Sequence, residues 1–166
     1  MVLGKLLDTL SYVVDPADLA PELHEVKDYW VAKRGNRKLP RRADIDPLEL
    51  RQHLPFISLV EVLDDAKDFR FRLLGTEITD VLQRDNTGKT VREVYATAEP
   101  DILNWMIEVY ALATTRACPV LRRGTLRVVH KEFIAFESLH MPLSDDGEHV
   151  NMLFGRSRYI AGERKN

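Results

Sequence analysis

A single glycine separates two periodicities in the stretch FRFRLLGTEITDVLQRDNTGKTVREV, which runs from Phe69 to Val94. Phe69, Phe71 and Leu73 alternate with Arg70 and Arg72, the two-residue period of a strand with one buried face. Gly75 ends that pattern. From Thr76 onward Ile78, Val81 and Leu82 recur at helical spacing, with Thr76 placed to cap the first free amides, until Asn86, Thr87 and Gly88 supply a tight turn. A strand that feeds directly into a short helix lying across a sheet suits a domain that encloses a small pocket.

The flanking sequence extends this unit in both directions. FISLVEVL, from Phe56 to Leu63, is rich in branched and aromatic residues and predicts a strand that pairs with Phe69 to Leu74 as a hairpin across a polar turn at Asp64 to Asp68. Val91 and Val94 predict a further helical turn. Glu99, Pro100 and Asp101 introduce the longest helix, with Ile102, Leu103, Met106, Ile107, Tyr110 and Ala113 along one face. Between Cys118 and Tyr159 the pattern becomes three antiparallel strands, joined around His130 and Lys131 and by the turn Ser144-Asp145-Asp146-Gly147. Because the helices are gathered between two groups of strands, the arrangement is α+β with one five-stranded antiparallel sheet.

The N-terminal part predicts a helical extension. Leu3, Leu6, Leu7, Leu10 and Val14 form the apolar stripe of a short helix over residues 2 to 14, too short to stand alone in water without a partner surface. A second helix begins at Asp18 or Pro21 and runs to Lys33, with Leu19, Leu23, Val26 and Trp30 in register and Gly35 as its stop. Tyr29 and Trp30 read as anchors of this helix rather than as a stacking platform. The basic run containing Lys33, Arg34, Arg37, Lys38, Arg41 and Arg42 reads as a solvated linker, since no aromatic residues interleave with the charges. Asp46, Pro47 and Glu49 predict one more short helix, ending near His53. The expected division is therefore a helical extension over 1–45, a domain over 46–161 and a polar tail over 162–166.

Bulk properties narrow the function. With 166 residues, 45% hydrophobic and 30% charged, the chain is an ordinary globular protein with enough length for one cored domain. Its formal charge of -2 gives no general attraction for nucleic acid or anionic lipid. One cysteine, Cys118, excludes an intramolecular disulfide and favours the cytosol. Lys5 and Asp8 interrupt any signal-peptide core, and no segment approaches the roughly 20 apolar residues that cross a bilayer.

The order of elements, and the phrases FRFRLLGTEITDVLQRDNTGKTVREV and MPLSDDG, resemble a PAS sensory domain over residues 22 to 160. The preamble DYWVAKRGNRKLPRRADIDPLELRQHLPFISLVEV resembles a proteobacterial family of stand-alone PAS-like proteins. The resemblance implies strand order 2-1-5-4-3 with helices cupped over one face, a small-molecule sensor or protein-interaction module, and a homodimer whose contacts include Leu3, Leu6, Leu10 and Val14.

The residues argue against the familiar sensor chemistries. Cysteinyl-flavin adduct formation needs a thiol in the short helical region, where this chain has Gln83-Arg84-Asp85-Asn86. Haem ligation from the helical side needs a histidine, and Thr76 to Ala117 contains none. His24, His53, His130, His140 and His149 show no metal-ligand spacing. No phosphate loop or nucleophile elbow is present, so the chain is read as a non-enzyme. Two functions remain. The first is a sensor that binds an unidentified small ligand between sheet and long helix and signals through a partner protein. Its pocket would be formed by Phe71, Leu73, Ile78, Leu82, Met106 and Tyr110, with Tyr110, Glu137, Ser138 or His140 orienting the ligand according to which strand face points inward. The second is a ligand-free interaction module docking through its sheet and N-terminal helices.

Overall fold

The computed structural model describes residues 10–126 and 129–161. Six antiparallel strands form one sheet: β1 (Ser11–Val14), β2 (Ile57–Leu63), β3 (Asp68–Leu74), β4 (Val120–Leu126), β5 (Lys131–Leu143) and β6 (Met152–Ala161). Their order is β1-β4-β5-β6-β2-β3. The five strands expected from the sequence keep the order 2-1-5-4-3, and the N-terminal segment adds a sixth at one edge.

That sixth strand corrects the helix expected over 2 to 14, of which the first part lies outside the described residues. Ser11 to Val14 pair in register with Arg123 to Val120, and the Asp15 amide closes the run on the Pro119 carbonyl at 2.7 Å. The reason lies in Tyr12-Val13-Val14, an aromatic and two β-branched residues that favour a pleated surface over a helix. Leu3 and Leu6 lie outside the described residues. Leu10 packs against the core on the cup side, and Val14 is exposed on β1.

The sheet is covered on both faces. On the outer face lies α1 (Pro21–Arg34), opened by proline and stopped at Gly35, whose φ of 57° is a left-handed conformation suited to glycine. Leu23, Val26 and Trp30 of α1, followed by Leu39, Ile45 and Leu50, bury against Leu59, Leu121, Leu139, Met141 and Phe154. The Trp30 indole donates to the Pro142 carbonyl at 2.9 Å and so ties α1 to β5. The segment after Asp46 is a series of turns rather than the expected helix. Asp46 Oδ1 accepts from Leu48 N at 2.8 Å, while Glu49 reaches away to the Lys33 ammonium at 2.6 Å. Asp46 thus still caps the turn, but Glu49 is withdrawn from the capping box. The basic run is engaged internally: Arg37 pairs with Asp44 at 2.6 Å, and Arg34 lies 5.5 Å over the Trp30 ring.

On the inner face lie α2 (Thr76–Leu82), α3 (Val91–Val94) and α4 (Pro100–Arg116). Gly75, not Thr76, occupies the cap position of α2, with no side-chain cap bond. A Cβ at Gly75 would stand 2.2 Å from the Pro55 carbonyl oxygen, so the close passage of two backbones selects the glycine. Thr90 and Glu93 form a reciprocal capping box on α3. The buried face of α4 is Ile102, Trp105, Met106, Val109, Tyr110 and Ala113, with Leu103 and Ile107 at its margin.

Candidate functional site

Between α4 and the inner face of the sheet is a cavity of about 280 Å³. Strand parity decides its floor. Phe136, Ser138 and His140 of β5 point inward, which puts Glu137 on the opposite face, where its carboxylate binds Arg123 at 2.9 Å and Arg158 at 2.8 Å. Ser138 and Ser157, on neighbouring strands, share a 2.7 Å hydroxyl hydrogen bond.

Phe71, Ile78, Leu82, Met106, Tyr110, Ser138 and His140 all line this cavity. Leu73 does not, and is 39% exposed. The cause is a bulge. Val60 faces Phe71 and Leu59 faces Leu73, so Arg72 is an extra residue that reverses the alternation of β3. Leu74 takes the inward place instead. The two-residue period from Phe69 carries no sign of that interruption.

The sequence reading also missed Arg122, Asn86, Trp105, Tyr95 and Tyr159, which are among the further lining residues. Arg122 lies in the run LRRG of β4 and looks like one more surface charge. Its place on the inward parity, opposite Ser138, is the signal that would have revealed it. Arg122 Nε donates to His140 Nε2 at 3.1 Å and its Nη1 lies 2.7 Å from Met106 Sδ. The guanidinium carbon is 5.3 Å from the Phe136 ring centre, 5.5 Å from that of Tyr110 and 5.9 Å from that of Trp105. Among the described residues no carboxylate pairs with it.

Gly155 of β6 lies between Ser58 and His140 in the cross-strand register. A Cβ there would stand 2.3 Å from Ser58 Oγ and 2.9 Å from His140 Nδ1, so glycine lets these two side chains converge. His140 is 1% exposed, and burial, then the neighbouring Arg122, holds its pKa well below the usual range. It is therefore neutral, with Nε2 as the acceptor of the arginine bond and the proton on Nδ1. Neither Nδ1 of His140 nor Oδ1 of the buried Asn86 has a hydrogen-bond partner among the described residues. Desolvation pushes the Tyr95 phenol up to about 12 and raises Tyr110 and Tyr159 as well.

Among the described residues the lining holds no cysteine, and its one histidine already accepts from arginine. Cys118 precedes β4 and is not part of the cavity wall. Among the described residues no three histidine, cysteine or acidic side chains cluster as a metal site. No described helix is long and apolar enough to cross a membrane.

The fold is thus an antiparallel sheet with short helices and one long helix cupped over a partly open cavity. A family profile described as PAS domain matches residues 19–157, and the chain belongs to the PAS-domain family. PAS domains are generally sensory, non-catalytic modules, and they often mediate dimerisation or protein interactions. Among solved structures the chain is similar to an RNA-binding Light-Oxygen-Voltage receptor, with 14% identity and a TM-score of 0.52 over 92% of this chain. It spans 38% of that receptor's chain. It is also similar to the PAS domain of Bordetella pertussis BvgS, with 17% identity and a TM-score of 0.46 over 86% of this chain and 89% of that one. At these identities the likeness is one of fold. No curated protein matches the chain.

Proposed function

We propose that this protein is a non-catalytic sensor that binds a small molecule in the cup between sheet and α4 and signals through a partner protein. The observation that carries the reading is a largely apolar cavity of about 280 Å³ on whose wall a few polar side chains converge, Arg122, Ser138 and Tyr110 among them. A cavity of that kind is the usual form of a ligand site. In this reading residues 46–161 are the sensory domain and 1–45 its extension, working in a reducing compartment in keeping with the lone Cys118.

The route to a partner begins beside the cavity. Leu10 lines it, and Tyr12 of β1 sits directly opposite Arg122 of β4. A ligand that favours one placement of Arg122 thereby favours one placement of the N-terminal segment, which is the differential contact that a population shift requires. Tyr12, Val13 and Val14 are 38% to 41% exposed along that edge strand, which supports pairing of two copies there.

Native mass spectrometry of freshly purified protein tests the ligand reading. A retained or titratable small molecule that raises the melting temperature is the expected result. Full indifference to a broad small-molecule screen would leave the ligand-free interaction module in its place. Analytical ultracentrifugation tests the dimer, and a monomer in both the full chain and a chain lacking residues 1–14 would refute it.

A further inference from the structure

We propose that the cavity takes a small organic anion, a carboxylate on an apolar body of about ten non-hydrogen atoms. This rests on the reading of the cavity as a ligand site and adds the chemical class of the ligand.

The charge balance of the wall is one-sided. Among the described residues, Arg122 and, at the mouth, Arg84 are its only always-ionised side chains, and none of those residues brings a carboxylate or lysine to it. Arg122 is surrounded by three aromatic rings, a thioether and a neutral imidazole. These soften the cost of partly withdrawing a cation from water without neutralising it, and an arginine held in such a place is well matched by a carboxylate or phosphate. Of its five N–H groups, the Nε bond to His140 and the Nη1 contact with Met106 use two. The remaining three form the planar fork that a carboxylate fits with two parallel hydrogen bonds.

His140 sharpens the selection. By accepting from Nε it fixes the guanidinium plane, and because it is neutral it adds no second full charge. With Arg84 exposed at the mouth, the single cation inside the mostly apolar wall suits one negative charge, which a carboxylate carries at lower desolvation cost than a phosphate dianion. Size follows from volume. A cavity of roughly 150 Å³ accepts benzene, so one of about 280 Å³ accommodates a body with about twice as many atoms.

The test uses the full chain and three isosteric probes: 3-phenylpropanoate, neutral 3-phenylpropanamide and cationic 3-phenylpropylamine. Isothermal titration is expected to give at least about tenfold tighter binding of the acid than of the amide. In Arg122→Met and Arg122→Gln that advantage falls below about threefold while amide binding is retained, and Arg122→Lys keeps part of it. Unliganded Arg122→Met leaves the buried His140 Nε2 without its donor, so its melting temperature is read beside each titration to confirm that the variant is folded. Equal or better binding of the amide or amine, or an acid preference that survives Arg122→Met, overturns the anion inference and leaves the ligand reading standing. So does a co-purifying molecule that carries no negative charge. If none of the probes binds at millimolar concentration and nothing is retained on purification, both are overturned.

Discussion

Arg122 Nε donates to His140 Nε2 at 3.1 Å, and this one bond determines which imidazole nitrogen carries the proton. The tautomer with hydrogen on Nδ1 turns a donor toward Ser58 and Gly155. His140 is fully enclosed and its folded pKa lies well below 6.5, so the folded state declines a proton that the unfolded chain accepts. The contribution to stability is complete above the unfolded pKa and is lost as pH falls below it, by about 1.4 kcal/mol per pH unit until the folded pKa is reached. The histidine resonances provide the check. His140 is expected to remain neutral well below 6.5, whereas exposed His149, raised by its hydrogen bond to Asp146, titrates above 6.5. A His140 titration near 6.5 would refute the assigned tautomer and its environment.

The convergence over Gly155 makes a second expectation. Gly155→Ala places a methyl within 2.3 Å of Ser58 Oγ and 2.9 Å of His140 Nδ1 in a buried row, which costs about 1–3 kcal/mol by overpacking. Adding Ser58→Ala removes the nearer obstacle, and denaturant unfolding should recover part of the loss. Additive losses in the double variant would show that the two side chains do not meet there.

Leu73 and Leu74 invert the ranking that simple alternation assigns them. Leu73→Thr, at a site 39% exposed, should change stability by less than about 0.5 kcal/mol. Leu74→Ala removes a side chain from the cavity wall and should cost about 2 kcal/mol. Urea titrations of the two variants give the comparison, and the reverse order would refute the bulge at Arg72.

Much of the fold is legible in the sequence because its cues are local. Pro21 and Gly35 bracket α1, Pro100 opens α4, and Ser144 to Gly147 turn β5 into β6. The errors occur where a distant partner overrides the local pattern. Leu10 and Val14 have helical spacing, but β4 offers Tyr12 and Val13 an edge to pair with. Asp46 and Glu49 spell a capping box, but Lys33 and Tyr29 draw Glu49 away. The site was half legible for the same reason. Its apolar lining follows from helix and strand periods, whereas Arg122 becomes informative only once β5 supplies its neighbour His140.

Trp30 tests the union of α1 with the sheet. Trp30→Phe keeps most of the packing and removes the donor to the Pro142 carbonyl, costing about 1 kcal/mol or more. Trp30→Ala also opens a hole among residues with no solvent access and should cost about 3–5 kcal/mol. Similar losses for the two would assign the anchor to the hydrogen bond rather than to the ring.

With α1 and the segment after it laid over the outer face, the sheet becomes a wall between two interiors rather than a platform. The part of that face beyond the apolar cover carries Arg123, Glu137 and Arg158, with Glu22 of α1 closing the chain of contacts at 2.8 Å. These charges answer one another and leave little net field for a visitor to read. A docking protein therefore meets a self-neutralised mosaic on the broad side of this sheet. The main-chain amides and carbonyls along the rim at β1 offer it the more direct grip, so recognition there would depend on backbone geometry more than on side-chain identity.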